Sequence, residues 1–324
     1  MPEGSVVIIN FRTPELAERC LRSIAADPAA EGLELVVLDN GSADGSVQRL
    51  AAAGLPGRLV GLDDNRGFAA AVNAAMRTAR HDRVVVLNAD TEVRPGALTA
   101  LLGALDDPGV GVAAPLLEHP DGRLQVNAYR RFPTLAALAF ELSIAGGYLL
   151  ALTGDRLPHP MALTEAAHAR GGDVEHVMGA AFAVQRAAWE QTGGLDEDFF
   201  LYLEETEWQR RLRAAGRRVV LVPAARVMHH VRAGDPTAAV PSPHYVDSAF
   251  RYLAKAYGIP ARRAAPVLAA ALAVAWLTTW TTALRGPEGR AAARAMRQRI
   301  AVLWARVRAA GRAQPAAAPP SARR

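Results

Sequence analysis

Apolar runs and polar, helix-forming stretches alternate four times over the first hundred residues of the chain. Each apolar run has the β-branched composition of a buried strand, and a segment with helical spacing follows it. This alternation predicts a parallel sheet covered by helices, with ligands bound beyond the carboxyl ends of the strands. The four repeats are SVVIINFRTPELAERCLRSIA, LELVVLDNGSADGSVQRL, GRLVGLDDNRGFAAAVNAAMRTA and RVVVLNADTEVRPGALTALLGAL.

Acidic and amide side chains follow three of these predicted strands. Asp39 comes after the second strand, Asp64 and Asn65 after the third, and Asp90 after the fourth. A single acid after a strand is more often a turn former or a helix cap than a ligand. Clusters at the same end of three strands, however, predict a polar site along one edge of the sheet.

A second dense segment, residues 176–230, surrounds an acidic turn. It predicts a small-residue strand, a helix from about Arg186, the turn DEDFFLYLEE, a helix through Arg213, and a strand over residues 218–222, followed at some distance by a histidine pair. Between the two halves lies an apolar insert, residues 133–154, in which Glu141 is the one charged residue.

The C-terminal region combines an uncharged run with an arginine-rich helix. Residues 264–284 hold 21 uncharged positions, about 31 Å as a helix and enough to cross a hydrocarbon core. Four threonines and the flanking arginines favour a segment that lies on a membrane; the alternative is a buried helix. The next helix is basic and amphipathic, carries Trp304, and suits a membrane interface. Its apolar face is Met296, Ile300, Leu303 and Val307.

Composition and charge exclude several classes of protein. With 51% hydrophobic and 21% charged residues, the chain is not disordered as a whole, although residues 313–324 are expected to be. Its net charge of +5 comes from residues 285–324, which carry ten arginines and one glutamate; the remainder is net negative. The single cysteine, Cys20, rules out a disulfide framework. We expect a cytoplasmic protein, since the N-terminus shows no export signal.

Five stretches in this order resemble the family 2 glycosyltransferases of the GT-A fold, and most closely the rhamnosyltransferase-like bacterial branch. The resemblance covers about residues 5–234, and the ordered set is more specific than any one piece. The stretches are VVIINF, LDNGSADGS, NRGFAAAVN, LNADTEV and the long segment from GAAFAVQ through DEDFFLYLEETEW to ARVMHH.

The resemblance implies a nucleotide-sugar pocket. In that family the end of the first strand and the acid after the second hold the nucleotide base, which corresponds to Asn10 and Asp39. The N-x-G-F turn lines the pocket, so Asn65, Gly67 and Phe68 are expected there. Phe68 is also a plausible helix-packing residue.

The family's metal motif, D-x-D, has the similar form N-x-D here. It implies Asp90 as a ligand of Mg²⁺ or Mn²⁺ and Asn88 as a polar neighbour of the sugar or diphosphate. In an extended backbone, positions 88 and 90 project to the same side. His229 matches a family histidine near the metal, with a buried structural histidine as the alternative; His230 is left unassigned.

The segment FFLYLEETEW resembles the family pattern that ends in E-D-x-D-W, whose second acid is the catalytic base. That position is Glu205, where the family typically has Asp, so the carboxylate is one methylene further from the backbone. Acids in the first turn of a helix are also what the helix dipole favours.

The expected architecture is therefore an α/β GT-A fold, with a mainly parallel twisted sheet flanked by helices. Residues 1–115 form the nucleotide-sugar half, 116–235 the acceptor and catalytic-base half, and 236–312 a helical, membrane-associating region. The expected activity is inverting transfer of rhamnose or a similar hexose from a dTDP or UDP sugar to a lipid-linked or glycan acceptor. We expect the protein at the inner face of the cell membrane, without a nucleic-acid partner.

Three other functions are the alternatives to glycosyl transfer. A nucleotidyltransferase or a Rossmann oxidoreductase would normally carry a glycine-rich phosphate loop after the first strand, and INFRTPEL has no glycine. A basic-tailed module that binds anionic membranes or nucleic acid without catalysis is the alternative from a different class, since it would use the arginine-rich helix alone.

Overall fold

The computed structural model describes residues 3–125, 128–143, 165–230 and 240–312. The chain divides into two compact units, one formed by Met1–Phe132 with Pro158–Gly234 and the other by Pro133–Leu157 with Asp235–Arg324. The described part of the first unit contains the sheets, and the described part of the second is helical. Residues 144–154 of the apolar insert and the tail at 313–324 lie outside the described residues.

Most strands of the first unit belong to one sheet of nine strands, in the order β3-β2-β1-β4-β10-β6-β11-β5, with β8 also paired to β11. β7 and β9 form a separate pair. The strands are β1 Ser5–Asn10, β2 Glu34–Asp39, β3 Arg58–Gly61, β4 Arg83–Asn88, β5 Thr91–Val93, β6 Val110–Glu118, β7 Tyr129–Arg130, β8 Gly172–Val174, β9 His176–Val177, β10 Ala181–Gln185 and β11 Arg218–His229.

Helices cover this sheet, and the predicted α/β architecture is confirmed. In chain order the helices of the first unit are α1 Pro14–Ala25, α2 Ser46–Ala52, α3 Phe68–Thr78, α4 Ala97–Ala104, α6 Glu165–Arg170, α7 Arg186–Thr192 and α8 Glu204–Ala214; α5 Leu135–Leu142 belongs to the second unit. Because β1 and the middle of β4 are buried on both faces, their side chains are almost all Val, Ile or Leu. Cys20, on α1, is buried in the same hydrophobic core, and burial raises the pKa of its thiol to about 12.

Strand register aligns the polar ends of three neighbouring strands. β1 pairs in parallel with β2 and with β4, and the register sets Asn10 beside Asp39 and Ile9 beside Asn88. Since parallel strands end at the same edge of a sheet, the polar residues that follow the first four strands lie along one edge. The predicted grouping of these residues is therefore confirmed for the strand ends.

The structure differs from the sequence-based expectation at two strands. β4 ends at Asn88, and Ala89 and Asp90 form a turn before β5, so the extended backbone assumed for positions 88–90 is wrong. The strand predicted over residues 218–222 instead continues to His229. Its pairing with β6 shifts register between Val222 and Arg226, where Pro223 has no N–H to donate to the ladder.

The second unit contains α5 and three C-terminal helices, α9 Pro243–Tyr257, α10 Ala261–Ala283 and α11 Pro287–Arg312. α11 packs against α10 and α9, and α10 packs against α5. The buried positions of α11 repeat at intervals of four and three residues, which is the spacing of a coiled-coil seam. They are Gly289, Ala293, Met296, Ile300, Leu303 and Val307.

This packing changes the interpretation of the basic helix. The predicted face of Met296, Ile300, Leu303 and Val307 exists, but it is buried inside the unit and is not available to a membrane. α10 is long and apolar enough to cross a membrane by length and composition, and 39% of its apolar stretch is buried. A buried core helix passes the same test of length and composition.

Candidate functional site

Asn10 and Asp39 are in direct contact at the ends of β1 and β2. The Asn10 side-chain amide donates to Asp39 Oδ1 over 2.7 Å, and Ser42 donates to the same carboxylate from its hydroxyl (2.6 Å) and its backbone N–H (2.9 Å). Asn10 and Asp39 are both buried. The structure therefore brings together the two residues expected at the nucleotide base, and their hydrogen bonds shape the loop that carries Ser42.

The turn between β3 and α3 is held in one conformation by amide side chains. Asn65 Oδ1 accepts hydrogen bonds from the backbone N–H of Gly67 and from the Asn40 side chain, both at 3.0 Å. Gly67 has φ 92°, and a β-carbon there would lie 2.4 Å from the carbonyl oxygen of Phe200. Only glycine fits this position. The Phe68 N–H donates to that same carbonyl over 2.8 Å, which joins the turn to the loop before α8.

Phe68, Gly179 and Glu205 lie side by side. A β-carbon on Gly179 would stand 3.2 Å from the ring of Phe68 and 3.6 Å from Cγ of Glu205. The N-x-G-F turn and the expected catalytic base are thus adjacent, although they are far apart in the sequence. Phe68 also packs against the hydrophobic core, so it has the packing role that was weighed for it as well.

Glu205 lies in the first turn of α8, after an unusual backbone. Tyr202 and Leu203 have φ values of 71° and 65°, the left-handed region that non-glycine residues seldom occupy. Such conformations cluster at functional sites, where the surrounding structure maintains them. The Glu205 side chain is half-buried, which leaves a carboxylate near the surface at the start of a helix.

Glu204, next to the expected base, is 3% exposed. Within the described part of the chain, its Oε2 atom has no hydrogen-bond partner. Burial, and after it the negative charge of Glu205, raise the pKa of Glu204 well above its usual range. This direction favours the proton of the pair on Glu204 rather than on Glu205.

Asp90 and His229 meet where β5 and the end of β11 pair. His229 Nε2 lies 3.4 Å from Asp90 Oδ1, and His229 Nδ1 lies 3.0 Å from Oε1 of Gln125. His229 is buried, whereas about 30% of the Asp90 side chain is exposed. The two residues expected to bind metal are therefore neighbours, and the Asp90 carboxylate is partly exposed to solvent. His230, in contrast, is hydrogen-bonded through Nε2 to Oε1 of Glu92 at 2.7 Å.

The side chains at this position offer two or three donor atoms to a hard divalent cation, fewer than its full set of ligands. Asp90 offers a carboxylate and His229 an imidazole nitrogen, and the buried Oδ1 of Asn88 has no hydrogen-bond partner among the described residues. The described residues contain no group of three His, Cys, Asp or Glu side chains that could hold a metal ion. Two protein ligands fit an ion that shares its remaining positions with water and substrate phosphates.

Two residues of this site were missed by the sequence analysis. Gly179 is the first residue of the small-residue run GAAFAV. This run is the sequence signal that could have identified it, because a glycine leaves room between Phe68 and Glu205. Gln125 follows β6 in an unremarkable stretch, GRLQVN, and lies 104 positions from His229. No local pattern marks it.

Sequence comparison identifies a family and several related proteins. The model of the glycosyl transferase family 2 matches residues 5–191. The N-acetylglucosaminyl-diphospho-decaprenol L-rhamnosyltransferase of Mycobacterium tuberculosis is 31% identical over 241 residues, which are 69% of this chain and 75% of that protein. Succinoglycan biosynthesis protein ExoO of Rhizobium meliloti is 34% identical over 128 residues, 38% of this chain and 36% of its own length.

Solved structures share the fold. The mannosyltransferase PcManGT from Pyrobaculum calidifontis, in complex with GDP-Man and Mn²⁺, has a TM-score of 0.53 over 94% of this chain and 85% of its own, at 21% identity. GalNAc-T7 with UDP, GalNAc and Mn²⁺ has a TM-score of 0.57 over 78% of this chain and 48% of its own, at 16% identity. The predicted GT-A fold is confirmed by this likeness.

The raised pKa of Glu204 predicts how stability depends on pH. Between the ordinary glutamate pKa, about 4.3, and the raised value, the folded protein keeps a proton that the unfolded chain has lost. The free energy of unfolding therefore falls as pH rises through this window.

Glu204→Gln stays neutral, so thermal unfolding from pH 5 to pH 8 should show a smaller loss of stability than in the wild type. Glu190→Gln, at an exposed position of α7, is the control and should keep the wild-type slope. Equal slopes in all three proteins would contradict the assignment.

Proposed function

The chain belongs to glycosyl transferase family 2, and from that premise we propose that it is an inverting, metal-dependent hexosyltransferase with a lipid-linked acceptor. The sugar is rhamnose or a similar hexose, and the donor is a dTDP or UDP sugar. The observation that carries the proposal is the set of contacts along one sheet edge, where the N-x-G-F turn adjoins Glu205 and Asp90 adjoins His229.

The relatives support the substrate classes. The mycobacterial relative is named for transfer of L-rhamnose to N-acetylglucosaminyl-diphospho-decaprenol, a lipid-linked sugar. Two proteins of the same fold were solved with nucleotides, one with UDP and one with GDP-Man, and both with Mn²⁺. We carry over to this chain a nucleotide-sugar donor, a polyprenyl-diphosphate type of acceptor, and a role in building cell-surface glycan.

Glu205 is the proposed catalytic base. As the acceptor hydroxyl attacks the anomeric carbon from the face opposite the diphosphate, a C–O bond forms, the bond to the diphosphate breaks, and the hydroxyl proton passes to the Glu205 carboxylate. The adjacent Glu204, kept neutral by burial, leaves that carboxylate charged. Phe68 and Gly179 stand beside Glu205 and are proposed to line the pocket next to the base.

Asp90 and His229 are the proposed ligands of Mg²⁺ or Mn²⁺, with Asn88 as a polar neighbour. A bound ion would neutralise the charge that develops on the leaving diphosphate. Asp90 is positioned for this role because β4 makes the start of its turn rigid and His229 contacts its carboxylate. Asn10, Asp39 and Asn65 hold the two loops that are proposed to enclose the nucleotide.

The proposed location is the inner face of the cell membrane, to which the protein binds peripherally through α10. The exposed residues of this helix from position 266 to 281 carry no charge, and its most exposed large side chains are Leu277 (64%) and Trp280 (59%), followed by Leu284 (86%) just beyond its end. Arginines flank this apolar face at Arg262, Arg263 and Arg285. Apolar side chains with arginines at both ends suit an anionic bilayer surface.

The proposed activity is tested with a donor panel. The purified protein is incubated with dTDP-rhamnose and with UDP, GDP and dTDP hexoses, Mn²⁺ or Mg²⁺, and a polyprenyl-diphosphate N-acetylglucosamine acceptor. Acceptor-dependent release of one nucleoside diphosphate, with product of inverted anomeric configuration by NMR, is expected. A product of retained configuration, or no release with any donor, would overturn the proposal.

Glu205→Gln should lower the rate of transfer by about 10²- to 10⁴-fold, the usual contribution of a general base. Donor affinity should stay close to that of the wild type because the amide keeps the size of the carboxylate. Single-turnover transfer and donor binding are both measured. Glu207→Gln is not a suitable control, since Glu207 holds Arg211; Glu190→Gln serves instead. Wild-type turnover in folded Glu205→Gln would remove this residue from the mechanism.

Replacing Leu277 and Leu284 together by Asn should weaken binding to anionic vesicles by tenfold or more. Burial of one leucine stabilises by about 1.5–3 kcal/mol, and 1.4 kcal/mol corresponds to a factor of ten. The matched control replaces Ala291 and Ala301, two exposed alanines of α11, by Asn. Vesicle co-sedimentation at low salt measures both. The α10 assignment fails if the two double variants sediment equally, or if the wild type ignores anionic vesicles.

A further inference from the structure

Gln125 has a hydrogen-bonding pattern that allows one orientation of its side-chain amide. Its Nε2 atom donates to two backbone carbonyls, that of His229 at 2.8 Å and that of Glu118 at 3.1 Å. A carbonyl oxygen can only accept hydrogen bonds, so both contacts require the NH₂ group. The reversed amide would set its own oxygen against two other oxygens inside a buried site, at the cost of two unsatisfied acceptors.

This orientation determines which nitrogen of His229 carries a proton. The remaining atom of the amide, Oε1, lies 3.0 Å from Nδ1 of His229 and can only accept. Nδ1 must therefore carry the hydrogen of the neutral ring, and Nε2 keeps its lone pair. The backbone also fixes Gln125, because its N–H donates to the Leu117 carbonyl and its carbonyl accepts from the Ala128 N–H.

In the neutral ring, the Nε2 lone pair then faces another acceptor. Asp90 Oδ1 is 3.4 Å away, so an imidazole lone pair and a carboxylate point toward the same small volume. Two electron-rich atoms held in this way repel each other unless a proton or a metal cation lies between them. The buried Oδ1 of Asn88, at the end of β4, has no hydrogen-bond partner in the described part of the chain and adds a third donor atom.

We infer that Gln125 is a positioning residue that locks His229 as the Nδ1–H tautomer, so that Nε2 is presented with Asp90 to a divalent cation. The inference rests on the proposed function for the metal role of Asp90 and His229, and it adds the residue that prepares them. Gln125 is itself buried. It acts through the ring of His229, in the way that hydrogen-bond partners of metal-bound histidines fix the ring orientation.

The first measurement is the tautomer of His229 in the metal-free wild type. The protein is labelled with ¹⁵N-histidine, and the His229 signals are assigned by their loss in His229→Gln. We expect a protonated Nδ1 and an unprotonated Nε2 at a pH where the ring is neutral. A protonated Nε2 would overturn the inference. This result needs no metal, no nucleotide and no transfer, so it is independent of whether the proposed activity is found.

The second measurement is the affinity for Mn²⁺, titrated alone and with UDP or dTDP. Gln125→Leu removes the acceptor at similar volume and should weaken Mn²⁺ binding by about 10- to 100-fold, with the His229 tautomer no longer fixed. The matched control is Gln185→Leu. Gln185 also donates from Nε2 to backbone carbonyls, those of Leu105 and Asp107, and neither of these two acceptors belongs to a histidine. If folded Gln125→Leu binds Mn²⁺ as tightly as the Gln185→Leu control does, the inference is overturned. If Gln125→Leu does not fold, the tautomer of His229 measured in the wild type is the test.

Discussion

Parallel pairing of β1 with both β2 and β4 is the constraint on which the candidate site depends. It sets Asn10 beside Asp39 and Ile9 beside Asn88, so the chain leaves three strands at one edge of the sheet. Each loop beyond that edge then needs little further support: Ser42 bonds to Asp39, Asn65 holds its own turn, and the turn after β4 carries Asp90 toward β11. The buried apolar strands make these positions rigid, which a site for a charged substrate requires.

Burial separates two adjacent carboxyl groups at the start of α8. Glu204 is buried beside Glu205 and held toward its neutral form, whereas Glu205 is half-buried at a helix start that favours negative charge. Asp90 faces His229 instead of another acid. The replacement of the family's first aspartate by Asn88 has the same effect, since it removes one negative charge from the position where a diphosphate is proposed to bind. We propose that the cation binds to this site together with its substrate.

The sequence alone predicted that the polar residues after the strands lie at one edge of the sheet, because hydrophobic periodicity indicates where each parallel strand ends. Asp39, Asn65 and Asp90 were placed at one edge on that basis, and the motif resemblance added Glu205 and His229. Features that depend on contacts between distant segments were not predictable: Gln125 meets His229 across 104 positions, and Gly179 matters through the space between Phe68 and Glu205. The face of α11 was identified correctly, yet its burial against α10 depends on a neighbour that periodicity does not reveal.

The central claim is that Asp90 and His229 form the cation site at the sheet edge. Anomalous diffraction from crystals soaked with Mn²⁺ and a nucleoside diphosphate tests it most directly. We predict one strong manganese peak within about 2.0–2.3 Å of an Asp90 carboxylate oxygen and of His229 Nε2, at the distances usual for such ligands. A manganese ion bound with the nucleotide by other side chains, with Asp90 and His229 still in contact only with each other, would contradict the account.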